Sequence, residues 1–515
     1  MKLMKQLDVV SLLLWCILSF NFVNSKPVFP FSLYFESIEG PIIYQNDTRF
    51  ETLIIDQNIR VNYTPSVIVY AVNNNDVQKA VKSAIKLGKD IVPRSGGHSY
   101  EKYGLGGRND TIVLDTTFIN GVTVDSKQKT ARIGAGNRLG DVYNKLSQEG
   151  FFFPAGSCPS VGIGGHALGG GFGYFSRKYG LACDNVISME MVDAKGSILQ
   201  VNKKSNPDLF FALRGAGAGS YGIVTHYTVR LHRTPPRVTY MQFDFNRTDI
   251  KQLQQLFSAL NKVGPSLDNN ISLKLRLGST LSITGVYLGP RKKAKIAMRE
   301  FLYEAPDPIS LIFEQKTFFE SVELLSRLNK YDVVNPKHNP NFFKIKSFVV
   351  KQDKGLTQEA IQYLVNYLDK MNGTRCNSYA SFDLYGGTVN VYNDVNPTSF
   401  IHRNALYTIQ VEAGWKWEDN EEHGKNCTDA VNKFGREFQS KYTSYFSHQG
   451  FIDRDLDDWE TRYYGDIFED LKKIKISLLL KKLKNLKKLT NLKKFLIKKR
   501  GLFKRLRNSK FIINV

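Results

Sequence analysis

The chain has 515 residues, 42% hydrophobic and 12% aromatic, with 40 Gly and 17 Pro. That is the composition of a folded protein of about two to four domains, and it excludes a disordered, collagen-like or coiled-coil body. The formal net charge of +23 would suit an anionic partner, but the stretch from Lys472 to Val515 holds 14 Lys, 3 Arg and no acid, so most of the excess is confined to the end and the body does not call for nucleic acid.

In chain order, two lysines in Met1–Lys5 precede an apolar run, Val9–Phe20, and Val23-Asn24-Ser25 offers short residues at the −3 and −1 sites of a signal peptidase. Residues 1–25 therefore read as a signal peptide, because a membrane-spanning helix needs about 20 apolar residues. Sequons at Asn46, Asn62, Asn109, Asn246, Asn270, Asn372 and Asn426 agree with a secretory route. Five cysteines, one of them Cys16, are too few for a disulfide scaffold. Cys376 and Cys427 could pair in an oxidising compartment, which the sequence leaves open.

From about Asn62 the pattern predicts a strand over Ser66–Val72, a helix over Asp76–Leu87 opened by an Asp cap, and a strand over Asp90–Pro93, the start of a βαβ unit. Short strands are predicted at Thr111–Leu114 and Thr130–Ile133. Glycine-dense loops occupy Arg94–Gly107, Gly156–Gly173 and Arg214–Gly222. After Thr234-Pro235-Pro236 the glycine density falls, and strands such as Ser279–Tyr287 alternate with helices such as Thr357–Met371, which marks a boundary between domains 26–237 and 238–434. From Ile476 the text is low in complexity, and Leu480, Leu483, Leu486, Leu489 and Leu492 recur every third residue, which drifts around a helix instead of forming a stripe.

The chemistry points to the glycines. Gly156 to Gly173 leaves backbone amides bare of side chains, as an anion cradle requires, yet no Gly-Lys-Ser/Thr follows and no GxGxxG sits between strand and helix. Alone, the run is as consistent with a structural loop. Pro93 to Tyr100 (PRSGGHSY) follows a strand and holds His98 among glycines, where a histidine is more often a local hydrogen-bonding residue than a catalyst. The eight histidines show no HxxxH or HExxH spacing, so no metal is expected.

Together, Arg94-Ser95-Gly96-Gly97-His98-Ser99-Tyr100 and Cys158-Pro159-Ser160-Val161-Gly162-Ile163-Gly164-Gly165-His166 resemble the flavin-binding signature of the berberine bridge enzyme-like oxidoreductases, within the vanillyl-alcohol oxidase superfamily. The likeness continues through Arg177–Val186, Asp208–Gly215, Gly219–Val224, Asp383–Gly387, His402-Arg403-Asn404, Tyr407–Gln410 and Asp457–Gly465, and spans about Phe35 to Lys475. The resemblance implies an α+β, two-domain FAD-linked oxidase fold. An FAD-binding α/β domain precedes a substrate domain whose antiparallel sheet is covered by helices, and residues 435–475 return to the FAD domain. It further implies FAD attached twice, through the C8 methyl to His98 and through C6 to Cys158. Arg94, Ser95, Gly96, Gly97, Ser99, Gly156, Gly162, Gly164, Gly165, His166, Gly170, Gly222 and Ile223 would line the cofactor. Val161 stands at the position that gates oxygen, where Val is associated with oxidases.

By the same resemblance, flavin N5 abstracts hydride from a hydroxylated small molecule, preferably a carbohydrate, while a base removes the hydroxyl proton and molecular oxygen reoxidises the flavin to give hydrogen peroxide. Gln410 matches a polar active-site position. Gln410 and Glu412 alternate on a predicted strand and share a face, which makes Glu412 one candidate base. His448 stands where many members carry a catalytic Tyr, with Gly450 in place of an Asn, and is the other. Phe172 and Thr408 depart from the Tyr and Lys of members acting on monolignols. A specialised-metabolite oxidase or dehydrogenase on the same scaffold is the alternative, and an inactive flavoprotein or a tail-driven membrane-binding protein is the third. Because the family continues past Lys475 into Tyr-Asp-Pro-like text, residues 476–515 read as a gene-model artefact, which leaves neither nucleic acid nor membrane as an expected partner.

Overall fold

The computed structural model describes residues 31–391 and 397–486. The expected signal peptide at 1–25, and the basic tail from 487 onward, lie outside the described residues.

Three sheets form the body. Strands β1 (Ile42–Tyr44), β2 (Val67–Tyr70), β3 (Ile91–Arg94) and β4 (Ile112–Asp115) assemble in the order β1-β2-β4-β3, with β2 and β3 parallel to β4 and β1 antiparallel at the edge. The crossover after β2 is helix α1 (Asn74–Leu87), whose Val77, Ala80, Val81 and Ala84 recur at helical spacing and are buried against the sheet. Its N-cap is Asn73, not Asp76: the Asn73 side chain accepts from the Asp76 amide. Asp76 lies inside the first turn, where its carboxylate accepts from the amides of Glu39, Gly40 and Val72 and ties the incoming chain to the helix. Gly88 ends the helix in the left-handed region at φ 63°, a conformation that costs a glycine nothing.

The second sheet is antiparallel, with β5 (Val122–Asp125), β6 (Thr130–Gly134), β7 (Val186–Val192), β8 (Ile198–Asn202) and β9 (Ile223–Arg230) in the order β5-β6-β9-β7-β8. Helix α2 (Leu139–Gln148) and the short α3 (Ile163–Leu168) pack in its core.

The third sheet has seven antiparallel strands: β10 (Val238–Phe245), β11 (Ile271–Leu277), β12 (Leu281–Tyr287), β13 (Ser310–Lys316), β14 (Phe342–Lys351), β15 (Ser378–Leu384) and β16 (Ala405–Trp415), ordered β13-β10-β12-β11-β15-β16-β14. Period-2 alternation decides its two faces. Leu273, Leu275 and Leu277, Ala380, Phe382 and Leu384, and Ile409, Val411 and Ala413 point one way, and join a core with helices α4 (Ile250–Val263), α5 (Gln358–Gly373) and α6 (Glu421–Tyr442). Each such Leu or Phe contributes about 1.5–3 kcal/mol by leaving water. Ser272, Lys274, Arg276, Ser381, Asp383 and Gln410 point the other way, into a cavity. The architecture is the α+β arrangement expected. Cys376, just before β15, forms a disulfide with Cys427 on α6, which closes the question that the sequence left open.

The last described helix, α7 (Phe468–Leu486), continues beyond Lys475, where the family-like text ends. Leu471 is fully buried, and Ile474 and Leu478 pack against the core of the second sheet. Among the described residues no helix is long and apolar enough to cross a membrane.

Candidate active site

A cavity of about 950 Å³ opens between the glycine loops and the polar face of the large sheet. Its size is at the upper end of ordinary ligand sites. One wall is made of backbone and the other of side chains.

The backbone wall consists of the loop after β3 and the loop leading into α3, which cross in contact. A Cβ on Gly96 would lie 2.1 Å from the Gly162 nitrogen, and one on Gly162 would lie 2.2 Å from the Gly96 nitrogen, so only glycine fits at either position. Gly165 differs: a Cβ there would meet nothing within 4 Å, because the residue faces the opening. The two loops thus present a bare main-chain surface that a flat or anionic group can approach closely. Ser95 pins the crossing, its hydroxyl donating to the Ala135 carbonyl at 2.7 Å.

His98 and Cys158 stand on either side of one hydroxyl. The Ser160 Oγ lies 2.9 Å from His98 Nε2 and 3.4 Å from Cys158 Sγ. Burial pushes the His98 imidazole down to about 3, with His338, Arg138 and His166 adding repulsion, so the ring is held neutral. Cys158 is exposed to the cavity and unpaired. His166, brought down to about 4 by burial, accepts from the Gly156 amide at 2.9 Å and braces the loop that carries Cys158.

Of the other residues expected to line a cofactor, Gly97, Ser99, Gly156, Val161, Gly164 and Gly222 do line this cavity. The Arg94 guanidinium is buried and engaged by Asp115 at 2.6 Å and by the Leu53 carbonyl at 2.6 Å, so its charge is used internally and only the rest of the residue reaches the wall. Gly170 and Ile223 are not on the wall. Gly170, at φ 112°, turns the chain where a Cβ would strike the Phe400 ring, and Ile223 is packed in the core beside the first sheet.

The side-chain wall owes its order to strand register. Arg276, Ser381, Gln410 and Ser347 are directly opposed across β11, β15, β16 and β14. The next row pairs Lys274 with Asp383, whose charged groups are 3.3 Å apart. One step the other way, Tyr379 opposes Glu412 and donates its hydroxyl to the carboxylate at 2.8 Å. Glu412 is therefore behind Tyr379 instead of on the cavity wall, and burial raises its pKa. Gln410 is on the wall and accepts from the Tyr100 hydroxyl at 3.3 Å.

His448 also lines the cavity, but its hydrogen bonds do not suit a base. Its Nδ1 accepts from the Gly450 amide at 2.9 Å, which assigns the proton of the neutral ring to Nε2. Nε2 has no hydrogen-bond partner among the described residues, and burial holds the imidazole well below its usual range. The Nδ1 lone pair is thus engaged by the chain's own backbone, and Nε2 is buried.

A buried ion cluster holds the walls together. Lys344 Nζ contacts Glu101 at 2.7 Å, Asp453 at 2.5 Å and Asp455 at 2.9 Å, and Lys346 contacts Asp453 at 2.6 Å. Arg60 and Arg454 complete the cluster on Glu101. It joins the loop after His98, strand β14 and the segment following His448. Sequence reasoning did not single out Lys344, Tyr379, Arg276 or Tyr100 as site residues. For Arg276 the signal was present, since Ser272, Lys274 and Arg276 alternate with leucines along one strand.

Comparison with known proteins agrees with this architecture. A family described as FAD binding domain matches residues 65–202. Berberine bridge enzyme-like 9 of Arabidopsis thaliana is 30% identical over 471 residues, 85% of this chain and 87% of that protein. Xylooligosaccharide oxidase of Thermothelomyces thermophilus is 30% identical over 364 residues, 69% of this chain and 72% of that one. The solved structure of Physcomitrella patens BBE-like 1 superposes with a TM-score of 0.81 at 33% identity, covering 87% of this chain and 96% of the other.

Proposed function

Because the chain belongs to the berberine bridge enzyme-like family of FAD-linked oxidoreductases, we propose that it is a secreted oxidase of hydroxylated carbohydrates that uses molecular oxygen and releases hydrogen peroxide. The backbone wall fits the cofactor. Gly165 leaves room where any side chain would intrude, the Gly96–Gly162 crossing offers main chain to a pyrophosphate, and His98 and Cys158, each beside the Ser160 hydroxyl, lie close enough to attach to one ring system. We therefore assign His98 and Cys158 as two covalent anchors, with Gly97, Gly164 and Gly222 alongside the cofactor. FAD bound on this wall supplies the hydride acceptor.

The chain's own residues handle the proton. A sugar lying on the side-chain wall presents its hydroxyl to Gln410 and Tyr379. As the C–H bond gives up hydride, the hydroxyl proton passes to the Tyr379 oxygen while the Tyr379 proton moves to Glu412, leaving a carbonyl product, a lactone if the carbon is anomeric. A carboxylate whose pKa is raised by burial is matched to that task. The Tyr379–Glu412 contact at 2.8 Å, with Tyr379 lining the same cavity as the glycine loops, is the observation that carries this reading.

Carbohydrate is preferred because a relative similar over most of its length is named for oxidising xylooligosaccharides. Secretion is supported by the sequons: Asn46, Asn62, Asn109, Asn372 and Asn426 are exposed, and Asn246 and Asn270 are half-buried. The experiment is a peroxidase-coupled assay of the purified yellow protein against neutral oligosaccharides, phenolics and alkaloids in air. Peroxide formed one-for-one with an oxidised sugar is expected. Turnover of phenolics or alkaloids with none of sugars would overturn the substrate assignment, and substrate-dependent flavin bleaching without peroxide would overturn the oxidase assignment.

A further inference from the structure

Ser160 is buried, and among the described residues its hydroxyl has two hydrogen-bond partners, His98 Nε2 at 2.9 Å and Cys158 Sγ at 3.4 Å. One small group thus joins two side chains that arrive on loops far apart in sequence. A tight turn fixes its place: the Val161 amide donates to the Cys158 carbonyl at 3.3 Å, with Pro159 between them, so Cys158 and Ser160 flank one proline. The turn is pinned to the start of α2, where the Pro159 and Val161 carbonyls accept from the amides of Gly140 at 3.0 Å and Leu139 at 2.9 Å. The other histidine beside His98 does not share the task. His338 meets the His98 ring edge-on at 5.1 Å, and its Nε2 donates to the Gly96 carbonyl at 2.6 Å.

We propose that Ser160 is the positioning residue for both flavin attachments: its Oγ accepts from His98 Nε2, which leaves the lone pair on Nδ1 for the flavin C8 methyl, and its own O–H donates to Cys158 Sγ, which favours the thiolate that bonds C6. The inference rests on the reading of His98 and Cys158 as covalent anchors. A neutral imidazole has one lone pair, so the partner of one nitrogen decides whether the other can form a bond. A thiolate, not a thiol, is the nucleophile, and an O–H donor stabilises it. One hydroxyl can serve both residues because the oxygen lone pair and the hydrogen are separate sites. The bonds balance as follows. At His98 the ring N–H proton and one hydrogen of the C8 methyl are lost as an N–C bond forms; at Cys158 the thiol proton and the C6 hydrogen are lost as an S–C bond forms. Each bond leaves two electrons on the ring, which molecular oxygen removes with two protons as hydrogen peroxide.

The test follows attachment itself, in freshly purified protein kept in air, from the masses of the peptides carrying His98 and Cys158. Wild type should carry flavin on both. Ser160→Ala should form each bond on the order of 10-fold more slowly, the loss expected for one hydrogen bond to a group that gains or holds charge, and should release FAD on acid precipitation until the bonds have formed. Ser160→Thr keeps a hydroxyl and Ser160→Val has nearly the same shape without one, so Thr should attach flavin faster than Val whatever the added methyl does to packing. Attachment in Ser160→Ala as fast as in wild type would overturn the inference, as would equal rates in the Thr and Val variants. Slowing of one bond with the other unchanged would overturn the shared role. Each of these outcomes leaves the two anchors standing, whereas wild type with flavin on neither peptide would remove the anchors and the inference together.

Discussion

Replacing Lys344 with Met tests whether the buried ion cluster sets the stability of the site. The Lys344 side chain is 1% exposed and touches three carboxylates, Glu101, Asp453 and Asp455. Removing one partner from a buried ion pair ordinarily costs about 3–5 kcal/mol, because the remaining charge is left without compensation in a poorly polarisable interior. Here Arg60 and Arg454 stay on Glu101 and Lys346 stays on Asp453, so the lower figure applies, about 3 kcal/mol. With a urea dependence of at least about 3 kcal/mol/M for a chain of this size, the midpoint should fall by up to about 1 M, read by Trp fluorescence. Lys473→Ala, which breaks an exposed pair with Asp470, should not move it.

The pH dependence has a definite sign. The Asp453 pKa is lowered despite burial, chiefly by Lys344 and Lys346, and that of Asp455 is lowered to about 2, chiefly by Lys344. Groups whose folded pKa lies below the unfolded value stabilise the fold above about pH 4, and that contribution disappears as pH falls toward 2. In Lys344→Met the carboxylates protonate more readily, so the gap between wild type and variant should narrow below about pH 4. An unchanged midpoint at pH 7, or a gap that stays constant down to pH 3, would refute the reasoning.

The remaining predictions concern the chemistry. Acid precipitation should give a yellow pellet from wild type and from either His98→Ala or Cys158→Ala, whereas only the double variant should release its flavin into the supernatant. Glu412→Gln should lower kcat by about 10²- to 10⁴-fold with flavin retained, and the wild-type kcat should decline as pH drops through a Glu412 pKa raised above the usual carboxylate range. No inflection from His448 should appear between pH 5 and 8, since its imidazole stays neutral there; one that vanished in His448→Gln would restore it as the base. Cys376→Ser with Cys427→Ser removes a cross-link between residues 51 apart in sequence and should cost about 4 kcal/mol in urea unfolding.

What the sequence could disclose followed the range of the interaction. The glycine loops were legible because their requirement is local: Gly96 and Gly162 sit in short motifs, and a turn or close approach needs no distant partner to be recognised. The strand alternation that puts Gln410 and Glu412 on one face was equally legible. Their separate roles were not, because Glu412 is withdrawn from the cavity only by Tyr379, which reaches it through the pairing of β15 with β16. The same holds for Lys344, whose three acceptors come from two chain segments more than a hundred residues away. His448 was found by its position, but its tautomer depends on an amide two residues further on. Asp76 resembled a cap because Asp often is one; Asn73 took that place since the carboxylate was occupied by the preceding loop.

The two walls differ in how freely they can change over evolutionary time. The glycine wall offers few side chains to vary, and at the crossing of Gly96 and Gly162 a side chain added to either loop would collide with the other, so this half of the site tolerates little change. The sheet wall is built of outward-facing residues on strands whose opposite face already supplies the core, so Arg276, Ser381 or Gln410 can be exchanged singly without disturbing the packing beneath. A lineage carrying this scaffold can therefore move to a new substrate by point mutation while its redox chemistry stays the same, and sequence divergence among its members should concentrate on alternate positions of β11, β15 and β16.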